Sequence, residues 1–343
     1  MSVETSRNDA PVLDVVIAGA GPAGLAAAIA AKQRGLTYRV FEKGSLVNSL
    51  LHYPAGMVFF TTPELMEIGG LPFVSPHDKP TRAEALRYYR RVAEAYDLDI
   101  LFDTPVTDVR RADDGFEVTT GGRNAGVTRA RFVLMATGAY DFPNKLGVPG
   151  EDLPHVSHYY GEPFAWYRKR VVIVGGKNSA AEAALELYRN GAHVTLLYRQ
   201  AALSDSIKYW VKPDIENRLA EGAIAARFNA HVREITPRDV VVETPSGLET
   251  IPADGVFLLT GYRADNQLLG AAGVEILNGG EYPRHDPETF ETNVPGLFLA
   301  GAVVAGRQSG RIFIENGRFH GARVIDIVAS RLGLLRDPAP VAR

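Results

Sequence analysis

Two stretches of this chain repeat one order of apolar run, glycine turn and small-residue helix. Asp14-Val-Val-Ile-Ala is a short, nearly unbroken apolar run that predicts a buried strand. Gly19-Ala-Gly-Pro-Ala-Gly24 follows, then an alanine-rich helix to about Gln33, and Tyr38-Arg-Val-Phe-Glu42 reads as a second strand. Much later Arg170-Val-Val-Ile-Val predicts another strand, Gly175-Gly-Lys-Asn-Ser-Ala180 a second turn, and a helix runs to about Asn190. His193-Val-Thr-Leu-Leu-Tyr-Arg199 closes that unit. Both stretches open a parallel sheet, whose strands are apolar throughout because helices cover both faces.

The first unit does not finish before the second begins. Phe132-Val-Leu-Met-Ala-Thr-Gly138 and Leu297-Phe-Leu-Ala-Gly301 are strands running into small-residue turns, and Val256-Phe-Leu-Leu-Thr-Gly261 reads as the last strand of the second unit. The simplest arrangement is an α/β protein of two nested Rossmann-like, doubly wound domains. The outer domain takes residues 1–147 and 265–343, and the inserted one takes 152–262. Gly147-Val-Pro-Gly-Glu-Asp152 and Tyr262-Arg-Ala-Asp-Asn266 are the turn-rich crossings. A length of 343 residues suits this division, since a domain averages roughly 150 residues.

Composition narrows the function classes. With a net charge of -3 the chain has no global basic field, so neither nucleic acid nor an anionic membrane is the expected partner. The apolar stretch from Val15 to Ala31 nears membrane-span length, but Gly19, Gly21, Pro22 and Gly24 interrupt it with turn chemistry. The N-terminus is polar and of mixed charge, not a signal peptide. There are no cysteines, which excludes disulfides, thiolate metal sites and a protein-borne dithiol pair. No metal site is expected, and a reducing cytoplasm suits the chain. Arg82, Arg87, Arg90 and Arg91 form either a solvated helix face or a dock for an acidic protein.

The glycine spacing carries the chemistry. Gly19 permits a tight turn, Gly21 lets backbone approach a pyrophosphate, and Gly24 lets the helix pack closely with its N–H groups facing the phosphates. Glu42, at the end of the next strand, is placed to accept from both ribose hydroxyls. The second turn keeps Gly175 and Ala180 at its outer positions but puts Lys177 where the middle glycine usually stands. Its second strand ends in Tyr198-Arg199 with no acid, and a guanidinium binds a 2′-phosphate that a carboxylate would repel. This site is therefore expected to prefer NADPH, with Lys208 as a second positive charge and Asp205 as a surface carboxylate that could pair with Arg199. A free-ribose dinucleotide site and an NADPH site in one chain imply FAD plus NADPH, with hydride passing from nicotinamide to flavin. The segment from Gly310 to His320 enters a helix through about Arg331, whose N-terminus would suit a reduced flavin. Acid–base candidates are few: His52 and His320 first, then Tyr53, His158, Tyr159 and Tyr160.

These residues carry a family resemblance. The chain resembles the low-molecular-weight thioredoxin-reductase-like flavoproteins, and most closely the bacillithiol-disulfide reductase branch. Matching stretches include Gly19 to Leu25, Leu46-Val-Asn-Ser, Phe59-Phe-Thr-Thr, Lys79 to Tyr89 and Ala136 to Asn144. Gly147 to His158, Gly175 to Ala180, Ser206-Ile-Lys-Tyr-Trp210, Asp286 to Gly296 and Ile312 to Gly321 continue them. The resemblance implies FAD contacts at Gly19, Gly21, Pro22, Ala23, Gly24, Glu42, Asn48, Thr137, Gly138, Gly301, Ala302 and Ile312. For NADPH it implies Gly175, Lys177, Asn178, Ser179, Ala180, Tyr198, Arg199 and Lys208. It further implies a homodimer or higher homo-oligomer.

Two positions depart from the pattern. That branch resembles proteins with a cysteine inside the first glycine loop, where this chain has Ala23, and the wider class places an aspartate where this chain has Ala302. The expected function is an NADPH-dependent FAD oxidoreductase that passes electrons to a small acceptor, by resemblance bacillithiol disulfide, without a protein cysteine. The alternatives are an NADPH–ferredoxin or flavodoxin reductase, against which the non-aromatic tail Leu334 to Arg343 counts, and a nucleotide-binding redox sensor with little turnover.

Overall fold

The computed structural model describes residues 11–279, 281–307 and 309–334, so both termini of the outer domain and most of the Leu334–Arg343 tail lie outside the described residues. Two compact units emerge: one of residues up to Leu51, Thr61–Phe142 and from Tyr262 onward, the other of His52–Phe60 and Pro143–Gly261. The second is thus not confined to the inserted 152–262. Its edges fall at Pro143 and Gly261, and it also takes residues 52–60, which the sequence pattern assigned to the outer domain.

The elements that position the site, in chain order, are β1 (Leu13–Ala18), α1 (Pro22–Arg34), β2 (Tyr38–Phe41), β3 (Gly126–Met135), β4 (Arg170–Val174), α2 (Asn178–Arg189), β5 (His193–Tyr198), β6 (Gly255–Leu258), β7 (Leu297–Leu299) and α3 (Ile314–Arg331). In the first unit β1 lies centrally and runs parallel to β2 and β3, and β7 pairs in parallel with β3. Beyond β3, two antiparallel strands, Gly115–Thr120 and Val106–Ala112, extend the sheet. Register decides where function can sit. Ala18 pairs with Phe41 and with Met135, and Met135 pairs with Leu299, so four strands end level at one carboxyl edge. In open parallel sheets that edge is where ligands bind.

Helix α1 is buried on nearly every side from Ala23 to Ala31, because small side chains let it pack between the sheet and α3. A β-carbon at Gly321 of α3 would lie 2.2 Å from the Ala23 carbonyl, so only glycine permits that helix approach. Arg34 and Asp326 fasten the far end of the pair through two hydrogen bonds, at 2.8 and 3.0 Å.

In the second unit the parallel order is Ala225–Phe228, β5, β4, β6, Val156–Ser157, with an antiparallel meander over His231–Pro252. Alternate residues of β4 face opposite layers. Val171 and Ile173 pack with Ala180, Ala184 and Leu187 of α2, while Val172 packs with Val240 and Val242 of the meander. Leu197 and Leu258 both pair with Val174, which again aligns three strand ends at one edge.

Candidate functional site

The first glycine turn leaves the level edge of the first sheet. Gly19 has φ +108°, and a β-carbon there would stand 2.5 Å from the Ala136 carbonyl just after β3. A β-carbon at Gly24 would stand 2.0 Å from the Gly19 carbonyl, so the helix can approach its own turn only with glycine. At Gly21, by contrast, an added carbon meets no protein atom within 4 Å. It would project into the open space over the start of α1, where Pro22 sits in the first turn and no acidic residue opposes an anion. These are the shapes a dinucleotide pyrophosphate requires, and they fit FAD.

Other residues gather on the same edge by register. Glu42 follows β2 and is 5% exposed. It accepts from Ala20 N–H at 2.7 Å and Gly44 N–H at 3.1 Å, one bond to each oxygen, leaving further lone pairs for ribose hydroxyls. Burial pushes its pKa up, against those two bonds and Lys43. Asn48 Oδ1 accepts from Ser45 N–H at 3.3 Å and holds the turn that starts at Gly44. Thr137 and Gly138 follow β3, with Gly138 at φ +72°. Gly301 follows β7 at φ +75°, and a β-carbon on it would meet that of Ala23 at 2.9 Å. Ala302 is half-buried. Ile312 packs over Gly317, where an added β-carbon would lie 3.0 Å from it.

The candidate acid–base groups are placed otherwise than sequence suggested. His320 Nδ1 accepts from Gly301 N–H at 3.3 Å, and the ring stacks on Phe290 with centroids 4.1 Å apart. Burial, reinforced by His285 and Arg323, pushes its pKa down to about 4. It is therefore a neutral acceptor that pins the Gly301 turn, not a proton donor at neutral pH. His52 is exposed and belongs with the second unit. His158 faces Glu151, whose carboxylate accepts from Leu146 and Gly147 N–H, so it lies against the 146–151 turn within the second unit. Tyr160 is a core residue, edge-on to Phe257.

Sequence reasoning missed Val47. This buried, β-branched residue sits at φ +46°, a conformation it rarely adopts, and donates to the Ala20 carbonyl at 3.2 Å. It braces the glycine turn from the side opposite β3. Of the arginine cluster, Arg82 donates to the Leu50 and Leu51 carbonyls and Arg90 pairs with Glu94. Half of that cluster is spent within the fold.

The second turn is built differently. Gly175, at φ +151°, is pressed on the Leu259 carbonyl, 2.6 Å from an added β-carbon, and Ala180 replaces the third glycine without a clash. Gly176 lies under the ring of Tyr198, which would be 2.3 Å from a β-carbon there. Lys177 and Ser179 are exposed at the start of α2. Asn178 instead turns inward: its Oδ1 accepts from Lys208 N–H at 2.8 Å and its Nδ2 donates to the Ser206 carbonyl at 3.0 Å. Arg199 is exposed just past β5, and Asp205 is held by Lys212 at 2.5 Å. Lys208 corrects the sequence expectation. Its ammonium is buried, 2.6 Å from Glu182 and donating to the Val58 carbonyl at 2.7 Å, so it offers no free charge to a phosphate.

The chain matches the model of the pyridine nucleotide-disulphide oxidoreductases over residues 16–301. It is 43% identical to the bacilliredoxin reductase of Bacillus subtilis over 317 residues, which is 92% of this chain and 97% of that protein. The solved bacillithiol disulfide reductase of Bacillus cereus superposes with a TM-score of 0.91 at 40% identity, covering 94% of this chain and all of that one. A thioredoxin reductase of T. acidophilum shares the fold, with a TM-score of 0.75 at 24% identity over 93% of this chain and 98% of that one. Among the described residues no helix is long and apolar enough to cross a membrane. With two glycine turns shaped for two dinucleotides and this match along most of its length, the chain belongs to the pyridine nucleotide-disulphide oxidoreductases, as an oxidoreductase that uses FAD and a nicotinamide nucleotide on a thioredoxin-reductase-like fold.

Proposed function

We propose that this protein oxidises NADPH to reduce a low-molecular-weight disulfide of the bacillithiol type. The observation that carries the substrate class is the match to a solved protein named for it, at 40% identity over 94% of this chain. FAD held at the first glycine turn would supply two-electron transfer from the nicotinamide to the disulfide, whose two thiols form with the hydride's hydrogen and one further proton from solvent. The chain's own residues orient that exchange. Gly21 and the first N–H groups of α1 receive the flavin pyrophosphate, Glu42 the ribose, and the Gly301 turn closes against Ala23. In the second unit Arg199 and Lys177 hold the phosphates of the nicotinamide nucleotide. The preference for NADPH is supported by Arg199, exposed and with Asp205 engaged elsewhere. A reducing cytoplasm and a homodimer complete the reading, and light scattering tests the latter.

The absence of cysteine favours a second reading. A one-electron acceptor such as ferredoxin or flavodoxin needs no protein thiol. One experiment separates the two: anaerobic reduction of the holoprotein by NADPH, then stopped-flow reoxidation by bacillithiol disulfide, ferredoxin or flavodoxin. Fast reoxidation by the disulfide supports the first reading. Reoxidation only by the iron–sulfur or flavin protein supports the second, and indifference to all three points to a sensor.

A further inference from the structure

Lys208 joins three segments that are far apart in sequence. Its backbone N–H donates to Asn178 at the start of α2, its ammonium pairs with Glu182 one turn further along the same helix, and the same ammonium donates to the Val58 carbonyl. Asn178, Glu182 and Glu186 are spaced four residues apart, so they share one face of α2. Residues 52–60 run against that face as a strap. A β-carbon at Gly56 would lie 3.0 Å from the Glu186 carboxylate, and Phe60 packs on Trp210 with ring centroids 5.7 Å apart. The ammonium also lies 5.8 Å over the Trp210 ring. A buried cation that pairs with a carboxylate and donates to a carbonyl couples the two segments that carry them, and its removal leaves the carboxylate without its counter-charge.

We propose that Lys208 is a positioning residue for the nicotinamide nucleotide: it clasps the 52–60 strap onto α2 and the 204–211 turn, making the strap a wall of that nucleotide's site. Lys208 itself touches no phosphate. The inference rests on reading the start of α2 as the nicotinamide nucleotide site.

The test compares Lys208→Met, Glu182→Gln and Arg199→Met with wild type in the full-length holoprotein. Hydrogen–deuterium exchange over residues 52–60 is measured beside the affinities for NADP+ and NAD+. Lys208→Met is expected to raise strap exchange and to weaken both nucleotides about tenfold, leaving their ratio unchanged. Glu182→Gln acts in the same direction more weakly, and decides the matter if Lys208→Met does not fold. Arg199→Met changes the ratio and leaves strap exchange alone. The clasp is overturned if strap exchange stays at the wild-type level in both clasp variants, or if Lys208→Met collapses the ratio as Arg199→Met does. If wild type bound neither nucleotide, the reading of the site would fail, while strap exchange would still decide whether Lys208 is a clasp.

Discussion

The two glycine turns answer the same geometric demand at their first residue and diverge after it. Gly19 and Gly175 are each pressed on the carbonyl that follows a neighbouring strand, at 2.5 and 2.6 Å from an added β-carbon. At the third motif position the first turn requires Gly24, whereas the second accepts Ala180. In between, Gly21 faces open space, but Gly176 is covered by the Tyr198 ring, so the next residue, Lys177, is the one that faces outward. One motif thus records two separate requirements. Packing of strand, turn and helix fixes the first glycine in both turns and the third in the first turn, whereas only the middle position is left open towards a ligand, and each unit fills that position with different atoms.

The largest expected effect breaks the first turn. Gly24→Ala puts a carbon 2.0 Å from a backbone oxygen that no rotamer can move, so α1 must shift as a body. A loss of about 3 kcal/mol is expected, the upper range for overpacking, together with loss of bound FAD. Urea unfolding and the flavin absorbance of the purified protein measure both, and a stable yellow variant would show that the turn yields more easily than its contacts imply. Next in size is Arg199→Met. Charge-assisted bonds to a phosphate contribute about 1.5–3 kcal/mol, so the ratio of kcat/KM for NADPH over NADH should fall about a hundredfold. A ratio unchanged by the substitution would mean that Arg199 does not read the 2′-phosphate.

The strands, turns and main helices were legible because parallel strands buried on both faces are continuous apolar runs, and glycines mark where they turn. The places of Glu42, Gly21 and Gly301 at the carboxyl edge of the sheet could be read from position alone, since each follows directly from a strand end or a motif. The strap was not legible. Its anchor joins Val58 to a lysine 150 residues later, and nothing local at either place distinguishes a clasp from a phosphate ligand. His320 was misread for a related reason. A histidine beside a flavin motif suggests proton transfer, but its burial on Phe290 and its bond to Gly301, 19 residues away, arise only in the folded chain.

That histidine separates the two units by pH. The strand end that closes the first turn is pinned by His320, which titrates. In the second unit Asn144, which does not, donates its N–H to the Gly261 carbonyl at 2.9 Å and accepts from the Thr260 hydroxyl at 2.6 Å. The folded-state pKa of His320, about 4, lies below its ordinary 6.5, so the unfolded chain takes up a proton first as pH falls. The stabilisation is complete above about pH 6.5 and is lost as pH falls toward 4. Allowing for the partial exposure of the ring, it amounts to about 1–2 kcal/mol. Unfolding free energies at pH 7.5 and 4.5 should differ less in His320→Asn than in the wild type, because asparagine keeps an acceptor for Gly301 but does not titrate. An identical pH response in the variant would remove His320 as the source.

The smallest effect sharpens the comparison most. Ala180→Gly restores the letter of the motif in the second turn, and if that motif expressed one requirement it should improve nucleotide binding. The geometry says otherwise. Ala180 is 1% exposed, and its methyl would be 3.0 Å from a β-carbon at Gly175, so it already fills the gap that a third glycine would open. Glycine there removes a buried methyl and adds backbone freedom near the start of α2, with an expected loss of about 1 kcal/mol. Affinity for NADP+ should stay within about twofold, because the groups proposed to hold the nucleotide, Lys177, Ser179 and Arg199, are untouched. Calorimetric titration with NADP+ beside chemical unfolding gives both numbers. A variant that bound NADP+ markedly tighter would mean that the Ala180 methyl stands in the way of the ligand, and that the two turns differ in how well they meet a single demand.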